Sequence, residues 1–204
     1  MLVSGDGDDD GRMRRFNPPE NEVPAVVPVG VVLARTEASA VSLTGVRVFS
    51  TGLSFTVDLR CRPEALPDGV VDLGSQLWRG RSGDQLLVGV EFADGRRASN
   101  LPRHDPFGDP ADAEAVVFHQ GSGSGNQLSV EQEWWLSPLP PPGPLRVVVR
   151  CDLLGLPEAT VELDGAAIQA AAEGVVVLWP WVSPSAMEPP VPVMPDLPAD
   201  SWFG

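Results

Sequence analysis

"LSFTVDLRC", Leu53 to Cys61, alternates without a break. Leu53, Phe55, Val57, Leu59 and Cys61 fall on one side of an extended chain, with Ser54, Thr56, Asp58 and Arg60 on the other. Successive side chains of a strand point to opposite faces, so this period of two predicts a half-buried β-strand. Upstream, "VVPVGVVLAR" (26–35) is a short apolar run, and "AVSLTGVRVF" (40–49) alternates across a bulge expected at Gly45. Downstream, "QLLVGVEFADGRRASNL" (85–101) reads as a hairpin, with Asp94-Gly95 supplying the positive φ angles of a tight turn. "SVEQEWWL" (129–136), "LRVVVRCD" (145–152), "ATVELD" (159–164) and "VVVLWPW" (175–181) continue the series. One short helix competes, "GAAIQAAAE" (165–173), with Asp164 as its cap and Gly174 as its end.

Many short strands and one helix predict an all-β chain: an antiparallel β-sandwich of immunoglobulin-like topology. A parallel sheet would need crossover helices that the sequence does not offer. The polar, acidic residues 1–24 read as a flexible arm and residues 25–182 as the sandwich domain. Residues 183–204, "SPSAMEPPVPVMPDLPADSWFG", read as an extended proline-rich tail.

The composition narrows the function. At 204 residues and 43% apolar, the chain is long and apolar enough to bury one core. Its formal net charge of −14, with arginine as its only basic residue type, argues against nucleic acid and against an anionic membrane surface as partners. No stretch reaches the ~18 apolar residues of a membrane-spanning helix. Arg14–Arg15 ahead of an apolar run, and "ASA" at 38–40, have the outline of an export signal. Pro24 and Pro28 interrupt that run and Glu20 and Glu22 precede it, so a first strand and a cytoplasmic protein are expected instead.

Cys61 and Cys151 each end an alternating segment. Across a sandwich they could form a disulfide, and two buried thiols is the expectation. "DGDDDGRMRRFN" (6–17) has the early carboxylates of a calcium loop but ends on Asn17 where a bidentate glutamate is needed, so a solvated acidic segment is expected. "HDPFGDPADAEAVVFH" (104–119) gathers His104, Asp105, Asp109 and His119. They are candidates for a divalent metal, although no helical spacing fixes a ligand geometry and no metal or other cofactor is expected. "QGSGSGNQ" (120–127) lacks the Lys-Ser/Thr ending of a phosphate loop and reads as a flexible connection. No GxSxG elbow occurs, and no other catalytic signature survives.

The densest stretch runs from Glu131 to Pro157. Trp134 and Trp135 must face opposite sides of a strand, and Pro138, Pro140, Pro141, Pro142 and Pro144 stiffen the chain after them. A structural corner is the first reading, and an exposed aromatic–proline platform for a partner is the second. "WWLSPLPPPGPL", "LLVGVEFADGRRASN" and "LPEATVELDGAAI" resemble an uncharacterised family of actinobacterial proteins over roughly residues 25–180. That resemblance implies a bacterial, cytoplasmic protein and brings no catalytic residue, cofactor or partner.

The leading expectation is a non-enzymatic β-sandwich that binds another protein. Trp202 and Phe203 at the end of the tail would serve as anchor, with Trp134 and Trp135 as further partner-binding candidates. The alternatives are a divalent-metal protein using the His104–His119 loop, and a sandwich binding carbohydrate or another small ligand through exposed tryptophans such as Trp78, Trp134 or Trp135.

Overall fold

The computed structural model describes residues 14–79, 85–101 and 115–182. His104, Asp105, Asp109, Trp202 and Phe203 lie outside the described residues, as do most of the acidic segment 6–17 and the whole tail 183–204. The described chain is mostly strand: β1 Glu22–Val23, β2 Ala25–Arg35, β3 Ser39–Val48, β4 Leu53–Cys61, β5 Leu87–Glu91, β6 Arg97–Ser99, β7 Val117–Gly125, β8 Ser129–Ser137, β9 Pro144–Cys151, β10 Leu156–Asp164 and β11 Val176–Val177. Among the elements joining them are the short helices α1 Leu73–Arg79 and α2 Gly165–Ala172 and the 3₁₀ turns Pro63–Ala65 and Asp152–Leu154. The strands form a five-stranded sheet in the order β2-β3-β4-β8-β7, a four-stranded sheet β10-β9-β5-β6, and a ribbon β1-β11. Every pairing is antiparallel.

One hydrophobic cluster draws on both larger sheets. The inward row of β4 (Leu53, Phe55, Val57, Leu59) meets that of β9 (Leu145, Val147, Val149, Cys151) and Val88 and Val90 of β5. In β3 the inward residues switch parity, from Val41 and Leu43 to Val46 and Val48. Gly45, at φ +60°, absorbs the extra residue: Thr44 and Arg47 oppose Thr56 and Ser54, three steps against two. Without the bulge, Val46 and Val48 would turn outward.

The predicted half-buried strand is more deeply covered than its alternation implies. β4 is central, and Ser54 (0% exposed) and Asp58 (7%) on its outer face are buried. They are satisfied there: Asp58 accepts from Thr44 Oγ1 at 2.8 Å, and Ser54 Oγ accepts from Arg47 Nε at 3.2 Å. The β5–β6 turn also differs from the expected one. Only Gly95 has positive φ (+88°), and Phe92 N donates to Arg96 O at 2.8 Å, so three residues make the loop. That is a type I turn closed by a left-handed glycine.

Two boundaries move. The arm assigned to residues 1–24 joins the domain from Arg14 onward. Glu22 is buried and accepts from Ser50 N (2.9 Å) and from Ser50 Oγ, with Arg14 3.4 Å away. Asn21 Nδ2 donates to Trp179 O at 2.7 Å, and Trp135 Nε1 to Arg15 O at 2.7 Å. Polar residues hide here because each has a partner distant in sequence, a relation that composition does not report. The connection assigned to 120–127 is strand β7 as far as Gly125. The turn follows at Asn126, whose Oδ1 accepts from Leu128 N and Ser129 N. Glycine and serine at an exposed sheet edge leave no alternation to read.

Candidate functional site

Trp134 and Trp135 face opposite sides of β8, as their adjacency requires. Trp134 (2% exposed) stacks on Phe118, centroids 5.0 Å apart, and Phe118 on Phe55 at 6.3 Å, an aromatic ladder across β8, β7 and β4 inside the core. Trp135 (1%) belongs to a small separate cluster with Phe49 and Val117, covered by Phe16. Both residues are buried, so neither forms the exposed aromatic–proline platform that was the second reading of this stretch. The proline stretch is likewise fastened: Gly165 N donates to Gly143 O at 2.8 Å, and Gln169 Nε2 to Pro140 O at 2.8 Å.

His119, a metal candidate, sits on β7 with Nε2 2.6 Å from the carbonyl of Phe16. A carbonyl only accepts, so Nε2 carries a proton and donates it, which withdraws that nitrogen from metal ligation. No group of three His, Cys, Asp or Glu side chains suited to a metal occurs among the described residues. Cys61 is half-buried and Cys151 buried, with no disulfide between them, and burial pushes the Cys61 thiol above its usual range.

The inward row of β8 runs Val130, Gln132, Trp134, Leu136. A glutamine at a core position is the signal that sequence reasoning passed over, since the alternation of "SVEQEWWL" already placed it there. Its amide is fully engaged. Nε2 donates to Gly121 O (3.2 Å), Ser122 O (3.0 Å) and Glu133 O (3.2 Å); Oε1 accepts from Gln120 Nε2 and from Trp78 Nε1 (3.4 Å). Gln132 therefore couples the irregular edge of β7, whose register slips between Gln120 and Gly123, to helix α1.

Helix α1 is placed by capping and by two glycines. Asp72 Oδ1 accepts from Ser75 N at 2.6 Å, a hydrogen bond that lowers the Asp72 pKa, and Leu73 N and Gly74 N donate to Gln127 O and Asn126 O. Gly74 packs on Gly125 of β7. A Cβ added at Gly125 would stand 3.0 Å from Trp78 Cη2 and 3.2 Å from Gly74 Cα. Only glycine lets helix and strand approach so closely, and the approach lays Trp78 beside β8.

Beneath α1 opens a cavity of about 420 Å³. Gln85, Asn100, Gln120 and Gln132 line it with carboxamides, and Trp78 and Trp134 with indoles. Leu77, Leu86 and Val130 complete the described wall, which holds no ionisable side chain. Asn100 is a fixed part of the frame: its Oδ1 accepts from Val88 N at 2.9 Å and its Nδ2 donates to Leu86 O at 2.8 Å. Trp78 is 47% exposed. Trp134 Nε1 is buried without a hydrogen-bond partner. An indole N–H in that condition is rare and unfavourable by about 1–3 kcal/mol.

No protein family, no curated protein and no solved structure matches the chain.

Proposed function

We propose that this chain is a non-enzymatic binding protein that takes a small, uncharged ligand into the cavity beneath α1, on an immunoglobulin-type β-sandwich. The orders β3-β4-β8-β7 and β10-β9-β5-β6 support the sandwich reading. They correspond to the A-B-E-D and G-F-C-C′ strands of that Greek key, with β2 added beyond A. The observation that carries the ligand reading is the cavity wall itself. Its volume lies in the range of about 300–1,000 Å³ typical of small-molecule sites, and its polar groups are carboxamides on an aromatic and aliphatic ground. The described polar groups of the wall are carboxamides and indole N–H groups, which suit a neutral ligand.

The test is a set of ¹H–¹⁵N spectra recorded with small neutral and small charged compounds. A neutral compound that shifts the indole N–H signals of Trp78 and Trp134 is expected. If no compound moves either signal, the reading fails.

A second reading, protein binding, draws support from an exposed apolar strip. Val176, Val177, Leu178, Trp179 and Val182 are all exposed, directly ahead of residues 183–204. Affinity capture with the full chain and with a chain ending at Val182 tests whether a partner needs the tail. If the two forms capture the same proteins, the tail has no part in binding.

A further inference from the structure

We infer that residues 189–198 of this chain dock in cis, as a polyproline-type helix, on the apolar strip 176–182. This surface is separate from the cavity beneath α1, and the inference goes beyond the small-ligand reading. Apolar exposure in the described chain is concentrated here. Val176, Val177, Leu178, Trp179 and Val182 are 48–62% exposed, and these five of the eleven exposed large apolar side chains among the described residues fall within seven consecutive positions. Val23, opposite Val176 on β1, extends the strip. Scattered apolar residues on a surface are ordinary, whereas a contiguous patch marks a contact. The strip is also held in place. Leu178 N donates to Asn21 O at 2.8 Å, Asn21 Nδ2 donates to Trp179 O at 2.7 Å, and Arg14 lies over the Trp181 ring, 5.7 Å from its centroid. A backbone fastened on one side while its side chains stand open is a preformed surface, which lowers the cost of docking.

Residues 183–204 lie outside the described residues, but their sequence has a period that fits the strip. Pro189, Pro192, Pro195 and Pro198 recur at every third position. Three residues per turn is the period of a polyproline II helix, so in that conformation these prolines line one edge. Val191, Met194 and Leu197 line the second edge, and Pro190, Val193 and Asp196 the third. Two edges are wholly apolar, and Asp196 marks the third as the one facing water. Proline-rich segments dock on aromatic-lined surfaces, because their fixed φ angles leave little entropy to lose. Trp179 and its apolar neighbours offer such a surface.

Length and attachment favour this segment over a foreign one. The strip ends at Val182, and only residues 183–188 separate it from Pro189. That connection reaches at most about 20 Å, enough to turn back along the strip. Residues 176–182 span about 23 Å as extended chain, and residues 189–198 about 31 Å as a polyproline helix, so the segment covers the strip from end to end. Tethered this closely, the segment has an effective concentration on the order of millimolar, which a free competitor would have to exceed.

The experiment follows the Trp179 indole N–H signal in ¹H–¹⁵N spectra of the full chain. The triple substitution Val191→Asp, Met194→Asp and Leu197→Asp should move that signal, and Val193→Asp on the outward edge should leave it in place. A synthetic peptide of residues 183–204, added to the triple variant, should return the signal to its native position. Half-saturation is expected below about 1 mM, the condition for the tethered segment to stay docked. Adding Trp179→Ala to the triple variant should weaken that peptide's binding, measured by calorimetry, by more than about tenfold. Light scattering should give the native chain and the triple variant the same mass. The inference is overturned if the triple substitution leaves the Trp179 signal unmoved, if Val193→Asp moves it as far, or if the peptide fails to restore it. A native dimer that the triple substitution dissolves would assign the segment to a second copy and overturn docking in cis.

Discussion

Replacing Glu22 by alanine tests whether residues 14–24 belong to the fold. The carboxylate is buried, accepts from the amide and hydroxyl of Ser50, and lies 3.4 Å from Arg14. Hydrogen bonds to a charged acceptor contribute about 1.5–3 kcal/mol each, so removing the acceptor of two would cost about 3–6 kcal/mol. Water entering the vacated site offsets part of this, and Arg14 is partly exposed, so its contribution is small. The expected loss is about 3 kcal/mol, a large share of the 5–15 kcal/mol of a typical domain. In a chain of this length that lowers Tm by roughly 6–12 °C. Urea unfolding followed by tryptophan fluorescence measures it, with a lower midpoint and an unchanged slope. Glu22→Gln keeps one acceptor for Ser50 N and should lose only about 1 kcal/mol. A Glu22→Ala loss below about 1 kcal/mol would refute the reasoning and return residues 14–24 to the status of an arm.

Two further predictions follow from groups outside the cavity. Asp164→Ala removes the oxygen that accepts from Ala166 N and Ala167 N, and should cost about 1 kcal/mol in a denaturant titration. Glu133 should make stability acid-sensitive. Burial raises its pKa, but hydrogen bonds from Ser54 and Ser122 and the charge and hydrogen bond of Arg47 outweigh that and hold it below its usual 4.5. A group depressed in the folded state stabilises above its unfolded value, and that contribution is lost as pH falls through the folded one. Tm should therefore fall as pH drops below about 4.5, and Glu133→Gln should flatten that slope.

Strands whose inner and outer faces differ in polarity were legible from sequence. β4 announces itself by alternation, the β3 bulge by the parity switch at Gly45, and α2 by Asp164 ahead of an alanine-rich run. The Trp134–Trp135 pair announces opposite faces for the same reason. What sequence hid are features made by pairing across distance. Asn21 and Glu22 look like solvated residues until Trp179 and Ser50 are brought to them. β7 looks like a linker because its glycines serve close approach to α1 and β8 rather than burial of side chains. The cavity was half visible. Trp78 and Trp134 stood out by type, but Gln85 and Asn100 reach the same wall from the ends of a hairpin in the other sheet. Gln132 was visible in principle, as the polar residue in the inward row of β8.

The ribbon of β1 and β11 also has a timetable. Val23 pairs with Val176, so the ribbon cannot close before both residues have left the ribosome. At about 5–20 residues per second, the intervening chain takes roughly 8–30 s to synthesise. During that interval Glu22 can already find Ser50, 28 residues away, while Asn21 waits for Trp179, 158 residues away. The nascent chain thus carries a half-fastened clasp, and any factor that engages β1 during that interval meets no competing strand.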